Sequence, residues 1–164
     1  MITLDFDGTL VDCRPRQVKV LNHILKKLGD EELDENYMWQ MKRAGNTNIQ
    51  ILKQLKYSEK TIKSLRRLWQ IEIEAETWLN LDQCFPWSYE FLEFASQKTT
   101  ISLLTARQNE VALFRQLEKL QLTKYFKDIF VVRPETAAKS KSEILRSIGA
   151  ELMCGDTETD AKAS

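Results

Sequence analysis

After one short apolar run at its start, Met1–Phe6, the chain offers no second strand until "TTISLLT" begins at Thr99. A lone strand cannot bury its backbone, so it must wait for partners across a long insertion. From Pro15 to Leu81 the apolar residues recur at helical rather than alternating spacing. "VKVLNHILKKLG" places Val18, Leu21, Ile24, Leu25 and Leu28 on one stripe, with Gly29 as a stop. "ENYMWQMKRAG" predicts a second helix closed by Gly45. "NTNIQILKQLKY" predicts a third, with Asn46 as N-cap and Ile49, Leu52 and Leu55 facing one way. The last stretch starts on Ser58, a capping residue, and carries Ile62, Leu65, Leu68 or Trp69, Ile73 and Ala75.

Beyond "DQCFPW" helix and strand alternate. Ser88–Gln97 reads as helix, "TTISLLT" as strand, "NEVALFRQLEKLQL" as helix and "KDIFVV" as strand. "SKSEILRSIG" reads as a helix stopped by Gly149, and "AELMC" as the last strand. Such alternation predicts an α/β core, a parallel sheet covered by helices. The expected division is a core of residues 1–13 and 82–164, interrupted by an all-helical cap of residues 14–81. At 164 residues the chain can support one core with a small insertion.

Composition narrows the function classes. Lys+Arg and Asp+Glu both number 24, so the chain lacks the basic excess expected of a nucleic-acid binder. No run approaches the roughly 18 apolar residues of a membrane helix. Met1 leads straight into a core strand, so no signal peptide is expected. Cys13, Cys84 and Cys154 form no CxxC or Cys/His cluster, which fits reduced thiols and a cytoplasmic location.

Ligands of open parallel sheets bind beyond the carboxyl ends of the strands. Those ends carry Asp5 and Asp7, then Thr105, then Asp156 with Asp160 shortly after. Lys139 and Lys141 stand at the start of the helix before the last strand. Carboxylates meeting at one point repel unless a cation separates them, and an all-oxygen set suits Mg²⁺. A hydroxyl and a lysine nearby suit the oxygens of a phosphoryl group. One aspartate can then attack phosphorus while the other carries a proton. Asp-Gly is also a common turn dipeptide, but turn formation alone does not explain the remaining groups.

"DFDGTLVD", "LLTAR", the lysines of "KSKSE" and "GDTETD" together resemble the four motifs of the haloacid dehalogenase superfamily, in their family order. The nearest branch contains phosphoglycolate phosphatase and β-phosphoglucomutase, and the insertion matches that superfamily's helical cap. The resemblance implies a Rossmann-like core, Mg²⁺, a small phosphorylated metabolite as partner and an aspartyl-phosphate intermediate. By it, Asp5 is the nucleophile, Asp7 the acid/base, and Thr105 and a lysine bind phosphate. Lys141 is favoured because "SEIL" follows it as a helix start, with Lys139 as the alternative. Asp156 holds Mg²⁺ with Asp5 and the Asp7 carbonyl, while Asp160 is auxiliary. Gly8, Ala106 and Arg107 are further candidates beside these motifs, Arg107 being suited equally to surface pairing and substrate contact. Dehalogenase members lack an acid at the Asp7 position, because halide needs no proton, so Asp7 argues for phosphoryl transfer. A phosphomutase on the same scaffold and a catalytically weak binding or regulatory member are the alternatives.

In the cap, Lys42, Arg43 and Asn46 lie at a Gly-marked bend where the resemblance places a substrate-facing loop. The cap is expected to close over the site and select the substrate. His23, Trp69 and Trp78 read as cap structure. Relatives normally continue well past the last motif, so the C-terminal part of the core is expected to be missing and "ELMC" to form a bare sheet edge.

Overall fold

The computed structural model describes residues 1–157, 160 and 161. In chain order its elements are β1 (Ile2–Leu4), β2 (Val11–Asp12), α1 (Arg14–Leu28), α2 (Glu35–Arg43), α3 (Asn48–Gln54), α4 (Glu59–Glu72) and α5 (Glu76–Leu79). They continue with β3 (Gln83–Cys84), α6 (Ser88–Ser96), β4 (Ile101–Ala106), α7 (Glu110–Lys119), β5 (Asp128–Val132), α8 (Ala137–Ile148) and β6 (Leu152–Cys154). The chain divides into two compact units, Met1–Cys13 with Gln83–Ser164, and Arg14–Asp82.

In the first unit, four parallel strands run in the order β5-β4-β1-β6. The outer strands β5 and β6 are only partly buried, while the central strands β1 and β4 are buried on both faces, as in covered parallel sheets. Successive residues of β4 show this directly. Leu103 packs with Leu4, Phe6, Leu92, Leu113 and Leu117 on one side, while Leu104 packs with Val132, Ala137 and Leu145 on the other. Each such leucine removed from water stabilises the fold by about 1.5–3 kcal/mol. Among the described residues β6 pairs only with β1, and its Leu152 is 51% exposed. A second, two-stranded ladder sets Val11 against Cys84 and Asp12 against Gln83.

In the second unit, α1 to α5 surround a core of Val18, Leu21, Ile24, Leu25, Met38, Ile51, Leu52, Ile62 and Leu65. α1 ends as its pattern predicts: Gly29 takes φ +78°, and the Asp30 amide returns to the Leu25 carbonyl at 3.0 Å. Ser58 caps α4 by accepting from the Thr61 amide at 3.0 Å. Other expectations are corrected. The cap of α3 is Thr47, not Asn46. Thr47 and Gln50 form a reciprocal capping box, whereas the Asn46 side chain donates back to the Met41 carbonyl. The buried face of α3 is Ile51 and Leu52, while Leu55 has become the C-cap and is exposed. Ala75 is not on a continuous helix. It is extended at the break between α4 and α5, where no side chain caps the new start. α8 begins at Ala137 rather than Ser140, after a 3-10 turn over Pro134–Thr136.

One interaction in this unit had no signature in the sequence. Arg16 in α1 pairs at 2.9 Å with Asp82, the unit's last residue, and also donates to the Ile73 carbonyl at 3.1 Å. Both charged side chains are almost fully buried, at 3% and 0% exposure. His23 makes an edge contact with Trp78, with ring centroids 5.1 Å apart. Lys42 lies over the Trp69 ring and bonds Asn48.

Candidate active site

Register places the candidate residues on one edge. Leu4 pairs with Leu103 on one side and Cys154 on the other, so Asp5, Thr105 and Asp156 all follow at the carboxyl ends of neighbouring strands. The Asp5 amide extends the ladder one step, donating to the Cys154 carbonyl at 2.8 Å. The chain then turns sharply. The Phe6 carbonyl accepts from the amides of Thr9, Leu10 and Val11, and the Gly8 amide donates to Val11 at 2.8 Å. Gly8 has φ +80°, and a Cβ there would stand 2.6 Å from Cγ of Asp156. The missing side chain therefore lets the two loops meet. Gly155 serves Asp160 in the same way, since its Cβ would lie 2.5 Å from the Asp160 Cβ.

Lys141 joins the cluster from α8. Its ammonium reaches Asp5 Oδ1 at 2.7 Å and Asp160 Oδ1 at 2.5 Å, and all three residues are buried. Lys139 points elsewhere. Its side chain is 82% exposed and lies 3.9 Å from Glu143 on the same helix face. Asp160 is fixed locally, because the Thr157 hydroxyl donates to its Oδ2 at 2.6 Å and the Thr157 amide does so at 3.2 Å. Thr105 is 1% exposed, and Ala106 is the last residue of β4.

Arg107 is neither a surface residue nor open to solvent. It is 3% exposed, and its guanidinium grips Asp7 with both prongs, Nε to Oδ2 at 2.7 Å and Nη2 to Oδ1 at 2.8 Å. The two aspartates of the first motif thus look to different partners, Asp5 to Lys141 and Asp7 to Arg107.

Carboxylate oxygens of Asp5, Asp156 and Asp160 lie within 4.8 Å of one another. Of these three carboxylates, Asp5 and Asp160 share the Lys141 ammonium. Burial, reinforced by Asp160 and Asp7 against the opposing pull of Lys141, pushes the Asp5 carboxyl up to about 7. Burial alone would favour neutral Lys141, but the two carboxylates outweigh it and raise its pKa. A group of three carboxylates offering oxygen ligands fits a hard divalent cation, which would displace that proton.

Three parts of this arrangement are not evident from the sequence motifs: the Arg107–Asp7 pair, the grip of Thr157 on Asp160 and the need for Gly155. The Thr157-x-x-Asp160 spacing is a helix-start pattern and could have signalled the second.

Among the described residues no helix is long and apolar enough to cross a membrane. A family model of haloacid dehalogenase-like hydrolases matches residues 2–164. The fold is similar to that of a haloacid dehalogenase-like family hydrolase from Streptococcus pneumoniae, with TM-score 0.78 and 20% identity over 99% of this chain and 78% of that one. A predicted phosphatase from Clostridium acetobutylicum matches with TM-score 0.72 and 17% identity, over 98% of this chain and 77% of the other. A predicted phosphoglycolate phosphatase from Haemophilus somnus matches with TM-score 0.66 and 18% identity, over 99% and 79% respectively. No curated protein matches.

Proposed function

This chain belongs to the haloacid dehalogenase-like hydrolase family, and we propose that it is a Mg²⁺-dependent phosphatase of small phosphorylated metabolites. The observation that carries the reading is the division of labour at the end of β1. Asp5 is buried against Lys141 among two further carboxylates, while Asp7, two residues on, is held by a different cation. Two carboxylates in unlike environments suit two unlike tasks. The names of structural neighbours, among them phosphatases, favour the same substrate class.

Asp5 Oδ attacks phosphorus, and the bond from phosphorus to the ester oxygen breaks as that oxygen takes a proton from Asp7. Water then attacks the aspartyl phosphate and gives its proton to Asp7. The bond between phosphorus and Asp5 breaks, and inorganic phosphate leaves. Lys141 steadies Asp5 and offers charge to the phosphoryl oxygens, and Thr105 supplies a hydroxyl at the same edge. Asp5, Asp156 and the Asp7 carbonyl are the proposed Mg²⁺ holders, with Asp160 offering a further oxygen. When bound, Mg²⁺ neutralises the charge of the transferring group.

The test is hydrolysis of p-nitrophenyl phosphate by the purified chain with Mg²⁺ and with EDTA, followed by a panel of phosphorylated metabolites. Turnover should require Mg²⁺, and Asp5→Asn should abolish it. Undiminished turnover by Asp5→Asn would overturn the nucleophile assignment.

A further inference from the structure

We infer that Arg107 is a positioning residue for Asp7: its braced guanidinium fixes the direction in which the Asp7 carboxylate faces. The inference rests on the phosphatase reading above, in which Asp7 passes a proton to and from the reacting oxygens. Residues one hundred positions apart meet here, with two parallel hydrogen bonds of 2.7 and 2.8 Å. A fork gripping both carboxylate oxygens sets the plane of the carboxylate as well as its place, which a single contact cannot do.

Arg107 is itself held from three sides. Nη2 donates to Gln116 Oε1 in α7 at 3.1 Å, and the backbone amide donates to the Val132 carbonyl of β5 at 3.0 Å. The guanidinium lies 5.7 Å from the centre of the Phe6 ring, inside the turn that carries Asp7. Its side chain is 2% exposed, whereas that of Asp7 is 22% exposed. The arginine is therefore the anchored partner and the aspartate the one facing outward. This distribution suits a support behind a proton carrier better than an arm that reaches for substrate. Proton transfer depends steeply on placement, so loosening the support should weaken that step alone.

Arg107→Lys keeps the charge and removes the fork. Its kcat and KM are to be measured with Mg²⁺ on a series of phosphate esters, from p-nitrophenyl phosphate to simple alkyl phosphates. Nitrophenolate leaves without a proton, whereas an alkoxide needs one. The expected result is a loss in kcat/KM, which reports the steps through aspartyl-phosphate formation, of about tenfold to a hundredfold on alkyl esters. Little loss in kcat/KM is expected on the nitrophenyl ester, while kcat falls on both because water also gives its proton to Asp7. Asp7→Asn should show the same leaving-group pattern, and adding Arg107→Lys to it should cost little more. Gln116→Met, which removes the acceptor of Arg107 Nη2, should give a weaker form of that pattern and serves if Arg107→Lys folds poorly by thermal melt. A raised KM with kcat kept would make Arg107 a phosphate contact and overturn the inference. An equal loss of kcat/KM across the series, or a gain, would overturn it too. In those cases wild-type Mg²⁺-dependent turnover still stands. A wild type without turnover overturns the phosphatase reading, and the positioning role with it.

Discussion

Gly8 lies so close to the carboxylate of Asp156 that no side chain fits between them: an added Cβ would stand 2.7 Å from Oδ1. Gly8→Ala must therefore displace Asp156 and strain a backbone at φ +80°. The strain costs about 1–2 kcal/mol. Displacing a proposed ligand should weaken Mg²⁺ binding by about 10- to 100-fold. Calorimetric titration of Mg²⁺ into both proteins would measure it.

The two lysines of α8 should separate cleanly. Lys141→Ala removes the ammonium that bridges Asp5 and Asp160 and should lower kcat by about 10²–10³-fold. Lys139→Ala removes an exposed side chain 3.9 Å from Glu143 and should leave both turnover and stability nearly unchanged. Steady-state kinetics with p-nitrophenyl phosphate checks both.

Proton binding at Asp5 gives a pH dependence of stability. Its carboxyl is raised from 3.8 to about 7 by burial, so between those values the folded chain keeps a proton that the unfolded chain has lost. The Asp5 contribution is complete below pH 3.8 and disappears as pH rises through about 7. Its full size is on the order of 4 kcal/mol. In EDTA, denaturant melts of wild type and Asp5→Asn should diverge in that direction from pH 5 to pH 8. Added Mg²⁺ should shrink the gap by replacing the proton. Parallel pH profiles would contradict this account.

The Arg16–Asp82 pair predicts a stability effect in the helical unit. With both side chains buried, Asp82→Ala removes a carboxylate held against the Arg16 guanidinium and should cost about 3–5 kcal/mol. The midpoint of urea unfolding would report it.

Much of the fold was legible because local rules agreed with the final packing. Ser58 caps, Gly29 stops, and the unbroken apolar stretch "ISLL" becomes a strand with both faces covered. What escaped reading was set by distance. Val11 and Cys84 pair over two-residue strands, too short to show any period. Asp7 and Arg107 are each polar residues beside a motif, and nothing local joins them. The choice of Thr47 over Asn46 turned on Gln50, because both residues are good caps and only one has a partner three positions on. The acidic and lysine motifs were visible as types, but the geometry that buries Asp160 with Lys141 came only with the fold.

The β2–β3 ladder has a consequence for how such a chain can change. Val11 and Asp12, just before the insertion, are in register with Cys84 and Gln83, just after it. The α/β unit is thus interrupted in sequence yet stitched shut at the interruption, and Arg16–Asp82 draws the insert's own two ends together. A joint closed on both sides makes the insert a replaceable cassette. Helical inserts of other lengths should therefore be accepted between Cys13 and Gln83 with the β2–β3 register kept.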